Sequence, residues 1–191
     1  GYIKRVPLTE YRAQGRGGKG LRAMDTKDTD FVSQMYVVNT HAHLLFLTEK
    51  GKAYLKKVYE IPEGGRAARG RAIVNFIEFE AGDRLKAIVP VREFVDDGFL
   101  LTCTKGGTVK RTALSAYSNI RTTGIIGVAI EEGDELLTAT IATENQQVLI
   151  GTANGMSIRF KLEDVRATGR DSRGVKGIEL REGDVVVGMG V

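Results

Sequence analysis

The chain has 191 residues, of which 42% are hydrophobic, and its formal net charge at pH 7 is only +4. This size and composition are typical of a folded globular protein with a sizeable buried core. The single cysteine, Cys103, excludes an internal disulfide, as expected in the reducing cytoplasm, and no apolar run approaches the roughly 20 residues of a membrane-spanning helix.

Short strand-like segments follow one another along the chain and predict an all-β fold. They are rich in Val, Ile, Leu, Tyr and Phe and are bounded by Gly, Asp, Asn or Lys. These segments are Gln34–Asn39, Leu44–Leu47, Ala53–Tyr59, Ile73–Phe79, Leu85–Val91, Phe99–Thr104, Ile125–Ile130, Leu136–Ala142, Gln147–Ile150, Val175–Leu180 and Val185–Met189. Helical periodicity is almost absent, and its best candidate is one turn around Leu162–Val165.

One pattern of about 50 residues recurs four times. A turn glycine opens each copy and a Gly-Asp turn precedes a late strand in the last three; the residues are Gly1, Gly51, Gly107 and Gly155, and Gly82-Asp83, Gly133-Asp134 and Gly183-Asp184. Around Asn154-Gly155 the pattern predicts a type I′ hairpin. The spacing predicts one propeller-like domain over residues 1–191, with four-stranded repeats at about 1–42, 43–97, 98–145 and 146–191.

The charge changes sign inside each copy. In chain order, the net charges are +5 for residues 1–24, −3 for 25–49, +5 for 50–71, −3 for 72–97, +4 for 98–124, −5 for 125–145, +3 for 146–177 and −2 for 178–191. If the copies surround a common axis, their basic halves form a belt. Such a belt attracts a polyanion far more strongly than the net charge indicates.

Each copy also has a polar, strand-poor middle that we interpret as a long loop. These loops are Leu8–Gly20, Pro62–Arg71, Leu114–Gly124 and Glu163–Gly174. They carry many of the basic residues, and long loops on one face of a repeat array commonly form its binding face.

The first loop contains Gln14-Gly15-Arg16-Gly17-Gly18-Lys19-Gly20. This segment closely resembles the glutamine-arginine-glycine-lysine box of the DNA gyrase A C-terminal domain, except that Gly15 stands where the family most often has a basic residue. Further segments resemble gyrase A blades, and the resemblance covers essentially the whole chain: they are Tyr59–Pro62, Ala68–Gly70, Ser118–Arg121, Gly124–Ile126, Thr152–Met156 and Ile158–Phe160.

The resemblance implies a β-pinwheel, a propeller-like array whose blades exchange a strand with the next blade. The family normally has six blades, so we expect a fragment that holds roughly the first four. The implied function is sequence-independent, positive wrapping of double-stranded DNA, which gyrase uses to introduce negative supercoils. By resemblance, the fragment is a non-catalytic part of an ATP-dependent type II topoisomerase (isomerase class) in the bacterial cytoplasm and nucleoid.

The resemblance also implies partners outside the fragment. These are the N-terminal breakage-reunion domain of the same polypeptide and the gyrase B protein, in an A2B2 complex. No cofactor is expected in the fragment, because ATP and Mg²⁺ are used by other domains, and neither a bound metal nor a membrane contact is expected.

The candidate DNA-binding residues fall into two groups. By resemblance, the box comprises Gln14, Gly15, Arg16, Gly17, Gly18, Lys19 and Gly20. Phosphate contacts by basic side chains define a wider rim, since Arg and Lys neutralise phosphates and release counterions. The predicted rim is Lys4, Arg5, Arg12, Arg22, Lys56, Lys57, Arg66, Arg69, Arg71, Lys110, Arg111, Arg121, Arg159, Arg170, Arg173 and Lys176.

Three alternatives remain open on the sequence alone. The corresponding C-terminal domain of topoisomerase IV lacks an intact box and selects DNA without strong wrapping. A non-enzymatic propeller scaffold would bind acidic proteins without the steep salt dependence expected of about 6–10 phosphate contacts. A propeller enzyme would need convergent polar groups on the axis, and the sequence indicates none.

Other local patterns favour structural interpretations. Gly15-x-Gly17-x-x-Gly20 matches a dinucleotide fingerprint but lacks the strand–turn–helix setting, and Gly18-Lys19-Gly20 is not a P-loop. His41 and His43 share a strand face without further metal ligands nearby, so we interpret them as polar surface. Asp28 and Asp30 lie where the other copies have their acidic turn, so we interpret them as structural rather than as Mg²⁺ ligands. Cys103 fits a small core residue, and Tyr117 either packs against a blade or contacts DNA.

Overall fold

The structure is a computed structural model that describes all residues, 1–191. It contains thirteen strands and five 3-10 turns and no α-helix, which confirms the predicted all-β fold. The strands are β1 Tyr2–Ile3, β2 His43–Thr48, β3 Lys52–Lys57, β4 Arg71–Ala72, β5 Leu85–Val91, β6 Gly98–Thr104, β7 Thr108–Ala113, β8 Ile125–Ile126, β9 Leu136–Thr143, β10 Gln147–Thr152, β11 Ser157–Lys161, β12 Val175–Lys176 and β13 Val186–Gly190.

Each of the five 3-10 turns follows a strand. They are Leu8–Glu10, Val58–Glu60, Ile73–Asn75, Leu114–Tyr117 and Leu162–Asp164, and the last confirms the turn predicted around Leu162–Val165. No helix of the structure has both the length and the apolar character needed to cross a membrane.

The chain divides into two compact units. Unit 1 comprises Gly1–His43 and Lys56–Glu78, and unit 2 comprises Leu44–Leu55 and Phe79–Val191. Unit 1 buries a small set of apolar side chains, whereas unit 2 buries two larger clusters. In unit 1 the set is Ala42, Val58, Ile61, Ile73 and Ile77.

Successive repeats exchange a short strand, as the pinwheel prediction requires. Two sheets contain four strands, in the orders β5-β2-β3-β8 and β12-β7-β6-β9, and in each the outer strand β8 or β12 comes from the following repeat. The antiparallel register pairs Ala53 with Ile125 and Val109 with Val175. In unit 1, β4 pairs with β1 in the same way, and the last sheet holds the three strands β11-β10-β13.

The hairpin at Asn154-Gly155 is not a type I′ turn, because Asn154 does not have the positive φ that such a turn requires. The Gly155 amide donates to the Thr152 carbonyl (3.1 Å) and the Thr152 amide donates to the Met156 carbonyl (2.9 Å). Gly155 itself has a φ of 80°. This is the three-residue hairpin that combines a type I turn with a left-handed glycine, and Gly51 and Gly107 have the same left-handed φ.

The acidic turns cap these hairpins, which explains why the two motifs recur together. The Oδ1 atom of Asp83 accepts from the Lys50 amide at 3.2 Å, and that of Asp134 accepts from the Gly106 amide at 2.8 Å. Asp184 accepts from the Asn154 amide at 3.0 Å. Burial opposes ionisation of Asp184, but hydrogen bonds from the Thr152 side chain and from the Asn154 and Val185 amides lower the pKa of its carboxyl.

The core of unit 2 follows from the alternation of its strands. The first cluster is built around Leu45, Leu47, Val91, Leu100 and Tyr117. The second is built around Leu101, Cys103, Val109, Val148 and Ile150. Full burial of one such aliphatic side chain contributes about 1.5–3 kcal/mol. The structure therefore places Cys103 in the core, as predicted, and resolves Tyr117 as a packing residue whose hydroxyl donates to the Gly127 carbonyl at 2.8 Å.

Two predicted strands are wrong. Residues 34–39 are irregular and largely exposed. In the other three repeats, the strands at the corresponding position are β5, β9 and β13, which pair with β2, β6 and β10. Residues 34–39 pair with no strand. The segment predicted as Ile73–Phe79 begins with a 3-10 turn that buries Ile73 and leaves Val74 exposed.

Two further strands are shorter than predicted, because the chain folds under the preceding hairpin. The predicted segment Ile125–Ile130 forms a ladder only at β8, and Val175–Leu180 only at β12. Beyond them, the Gly127 amide donates to the Gly51 carbonyl at 2.9 Å. A Cβ atom on Gly127 would lie 2.7 Å from that of Ala53, so this approach requires glycine.

Candidate nucleic-acid interface

The box Gln14–Gly20 forms an exposed loop in unit 1. The Gly18 amide donates to the Gly15 carbonyl at 3.1 Å, and Gly17 takes a left-handed φ of 84°. A Cβ on Gly18 would lie 2.8 Å from the Gln14 amide oxygen, so Gln14 folds over the turn. Arg16 and Lys19 make no ion pair or side-chain hydrogen bond and are exposed. Their cationic groups are therefore available to an anionic ligand.

The second loop of unit 1, residues 62–71, is held by contacts with the first repeat. The Arg66 guanidinium donates to the Arg22 carbonyl at 2.7 Å, and the Arg66 amide donates to Glu10 at 2.9 Å. Arg69 stacks over Tyr2, with 5.3 Å between its guanidinium carbon and the ring centroid. The loop therefore presents its arginines from a fixed backbone.

The third loop, residues 114–124, is mostly a packing element. Its 3-10 turn buries Leu114 and Tyr117. The only cation in the loop is Arg121, which is exposed and unpaired. The third repeat therefore offers the fewest loop cations of the four.

The fourth loop, residues 163–174, again carries several arginines. Arg170 donates to the Ile126 carbonyl at 2.8 Å, and Arg173 lies 3.5 Å from Glu131. Arg166 is exposed and has no partner. The rim predicted from sequence omits Arg166. The position of Arg166 in a long basic loop is the sequence signal that favours its inclusion in the rim.

The prediction is wrong for two rim residues, Lys110 and Arg111. Lys110 is 2% exposed and Arg111 is 6% exposed, so neither side chain lies at the surface. The Arg111 guanidinium pairs with Glu144 and stacks 3.8 Å from the centroid of the Phe99 ring. The fourth loop removes them from solvent, because the Lys110 ammonium donates to the Arg170 carbonyl and the Arg111 guanidinium donates to the Leu162 and Val165 carbonyls.

The remaining rim residues are divided between paired and free cations. Lys4, Lys56 and Lys57 are half-buried, and Arg5 and Arg22 form ion pairs with Glu63 and Asp25. Lys176 lies 3.4 Å from Glu179. Among the rim, box and long-loop residues, the free, exposed cations are Arg12, Arg16, Lys19 and Arg71 in unit 1 and Arg121, Arg159 and Arg166 in unit 2. Exposed ion pairs contribute only about 0–1 kcal/mol, so phosphate competes easily with the paired carboxylates.

Residues considered as metal ligands lie in ordinary surroundings. His41 contacts Tyr59 edge to face, and burial lowers the pKa of His43. Asp30 accepts from the Phe31 amide at 2.9 Å, as a local turn residue does. The structure contains no group of three or more His, Cys, Asp or Glu side chains arranged to hold a metal.

Strand exchange between repeats, together with exposed loops of arginine, lysine and glycine, defines a propeller-like repeat protein with a candidate surface for polyanions. The chain matches the family model described as "DNA gyrase C-terminal domain, beta-propeller" over residues 1–39, 42–92, 98–143 and 146–191. It therefore belongs to the DNA gyrase C-terminal domain family, which confirms the resemblance stated from the sequence.

The curated relatives are DNA gyrase A proteins. The protein from Halalkalibacterium halodurans is 46% identical over 178 residues, which is 93% of this chain and 21% of the relative. Those from Staphylococcus epidermidis and Staphylococcus aureus MRSA252 are each 45% identical over the whole chain and 21% and 22% of the relative. The chain thus spans about a fifth of the length of these relatives.

Solved structures give the same fold. The C-terminal domain of DNA topoisomerase IV superposes with a TM-score of 0.81 at 29% identity, over 99% of this chain and 57% of that one. The DNA gyrase A C-terminal domain superposes with a TM-score of 0.76 at 31% identity, over 99% and 61%.

Proposed function

We propose that this chain binds double-stranded DNA independently of base sequence and wraps it with positive handedness. The observation that carries the proposal is the open box loop, in which Arg16 and Lys19 are exposed and free on either side of a glycine turn. Membership of the gyrase C-terminal domain family supports the same assignment.

Phosphate contacts supply the affinity. Guanidinium and ammonium groups on the loops neutralise phosphates and release counterions. Gly17 and Gly18 let the backbone of the box approach the duplex without a side chain in between. The chain has no recognition helix that could enter a groove, so binding reads the backbone and deformability of DNA rather than base edges.

Bending determines how many contacts are needed. Smooth bending of a 20–30 bp site by 40–90° costs on the order of 1–6 kcal/mol. Two charge-assisted contacts in one loop, at about 1.5 kcal/mol each, do not offset the upper end of this cost, so further loops must contribute contacts. In the longer protein, the wrap would feed a type II topoisomerase with its breakage-reunion domain and the gyrase B protein, and ATP and Mg²⁺ would act in those other parts.

A second candidate is the topoisomerase IV type of domain, which selects DNA without strong wrapping. Its support is the TM-score of 0.81 to the topoisomerase IV C-terminal domain, together with Gly15 at a position that is usually basic in gyrase boxes. A linking-number experiment separates the two. The protein is bound to nicked circular plasmid, the nick is sealed with ligase, and the linking difference is read on a gel.

A positive linking change that grows with protein and disappears in high salt supports wrapping. Tight, salt-sensitive binding without a linking change favours the topoisomerase IV type of domain. The absence of DNA binding at low salt contradicts both and leaves the scaffold for acidic proteins.

A further inference from the structure

A buried lysine ties the fourth loop to strand β7. The Lys110 side chain is 2% exposed, and its ammonium donates to the backbone carbonyl of Arg170. The next residue, Arg111, fixes the same loop because its carbonyl accepts from the Thr168 amide at 2.9 Å. The Arg111 guanidinium also donates to the Leu162 and Val165 carbonyls at 3.3 and 3.4 Å.

Unit 1 contains the same arrangement on its second loop. The Lys4 ammonium donates to the Gly65 carbonyl at 2.9 Å and to the Arg66 carbonyl. The following residue, Arg5, accepts at its carbonyl from the Gly64 amide at 3.0 Å. In both units, a Lys-Arg pair on one repeat therefore holds the loop of the next repeat at the carbonyl of an arginine.

The two held loops share a sequence pattern that the third loop lacks. They read Arg66-x-x-Arg69-Gly70 and Arg170-x-x-Arg173-Gly174, whereas residues 120–124 have threonine at the second basic position. We propose that Lys4 and Lys110 are positioning residues, which hold the backbone of these two loops so that their arginines face phosphate. This inference rests on the proposed DNA binding but concerns residues that do not themselves contact DNA.

The energetics favour a positioning role over a purely structural one. Burial lowers the pKa of Lys110 to about 8, with Asp171 and Arg170 acting in opposite directions, so the fold tolerates this charge rather than gains from it. An apolar residue of similar length would satisfy packing at lower cost. A loop that is already ordered, in contrast, loses less conformational entropy when it binds.

The test compares Lys110→Met with Lys105→Met, an exposed lysine of the same unit that pairs with Glu135. With Lys110→Met, the slope of log affinity for a linear duplex against log salt should fall by about 1. With Lys105→Met it should stay at the wild-type value. The loss should also be non-additive with Arg173→Ala, because both changes remove the same contact.

A DNA-free measurement keeps this inference separate from the proposed function. Amide hydrogen exchange of residues 166–174, with Thr168 as the reporter, should speed up in Lys110→Met while thermal unfolding shows that unit 2 remains folded. Lys4→Met gives an independent test on residues 64–68. Unchanged exchange overturns the positioning role whether or not DNA binds. Faster exchange with fully additive binding losses also overturns it. Loss of DNA binding by the wild-type chain contradicts the proposed function instead.

Discussion

The box loop and the fourth loop carry the same spacing of cations but are built in opposite ways. Arg16-x-x-Lys19-Gly20 stands free in solvent, with only a local turn between Gly15 and Gly18. Arg170-x-x-Arg173-Gly174 is tied down by Lys110, and Arg170 donates to the Ile126 carbonyl. One sequence pattern thus gives an adaptable loop in unit 1 and a pre-ordered loop in unit 2.

This difference determines whether the conformational entropy of each loop is lost when DNA binds or when the protein folds. A free loop loses conformational entropy when DNA binds, roughly 1–2 kcal/mol for each backbone residue that becomes fixed. A held loop loses that entropy during folding and binds with a smaller penalty. We therefore expect changes in the box to alter DNA binding with little effect on stability, and changes around β7 to alter stability as well.

The largest effect is expected from the double substitution Arg16→Ala and Lys19→Ala. Two charge-assisted contacts at about 1.5 kcal/mol each give a loss of about 3 kcal/mol, or roughly 100-fold in affinity. The salt slope should fall by about 1.8, since each phosphate contact contributes about 0.9. The linking change should disappear as well. Affinity is measured by titration of a fluorescent duplex at several salt concentrations.

Lys27→Ala is the matched control, since Lys27 is an exposed, unpaired cation of the same unit. Thermal unfolding should be unchanged in both variants, because exposed, unpaired side chains contribute within about 0.5 kcal/mol to stability. Equal losses of affinity in the control and the box variant would show that the box acts only through general charge.

Arg111→Ala should destabilise unit 2 by about 2–3 kcal/mol. The substitution removes stacking on Phe99, worth about 0.5–2 kcal/mol, and charge-assisted hydrogen bonds to the Leu162 and Val165 carbonyls. For a chain of this size, 1 kcal/mol corresponds to a shift in melting temperature of about 2–4 °C. Calorimetry measures the shift, and Arg159→Ala on the exposed strand β11 serves as the control. A similar shift in both variants contradicts the assignment of Arg111 to the core.

Glycine-to-alanine substitutions should lower the free energy of unfolding by smaller amounts, and by more in the fourth loop than in the box. In the fourth loop, a Cβ on Gly174 would lie 2.3 Å from the Val109 carbonyl oxygen, so Gly174→Ala should cost about 1–3 kcal/mol. In the box, Gly17 has a left-handed φ but nothing within 4 Å of its Cβ position. Gly17→Ala meets no clash, but the left-handed φ strains any L side chain, so the substitution should cost about 1 kcal/mol. Urea unfolding measures both, and a larger loss for Gly17→Ala would mean that the box is more rigid than the structure indicates.

The sequence predicts the left-handed turn glycines and the acidic turns, because both depend on local chemistry. Glycine is required at the left-handed positions 51 and 107. The turn at Asp83 is recognised from the Gly-Asp pair just before a strand, and Asp83 accepts from the Lys50 amide there. A short local motif identifies the box. In each case, neighbouring residues carry the whole signal.

The errors come from long-range contacts. Strand β7 is missing from the sequence prediction, which places Lys110 and Arg111 at the surface because two adjacent cations in a short segment normally indicate solvent. Their burial depends on contacts with the carbonyls of Leu162, Val165 and Arg170, more than 50 positions away. Likewise, residues 34–39 have strand composition, but a strand forms only where another strand pairs with it.

The smallest expected effect is the pH dependence of stability contributed by Lys110. Its pKa is about 8 in the folded protein and near its ordinary 10.5 when unfolded. Between these values the unfolded chain binds more protons, so this group makes the folded state more stable as pH rises from 8 to 10.5. Below pH 8 the cost of the buried charge is fully present, and a depression of even one pKa unit corresponds to about 1.4 kcal/mol.

Lys110→Met removes this contribution, so the variant should gain about 1 kcal/mol relative to wild type at pH 7 and lose that advantage by about pH 10. Tyr117 and Cys103, whose pKa values burial raises to about 12, act oppositely in alkali, because the folded state keeps their protons longer. Tyr117 and Cys103 are present in both wild type and Lys110→Met, so their contribution cancels in the difference in stability between the two proteins. Urea unfolding of both proteins at several pH values between about 7 and 10 measures that difference. A pH-independent difference would mean that Lys110 is as solvated in the folded loop as in the unfolded chain, and the fourth loop would then be as open as the box.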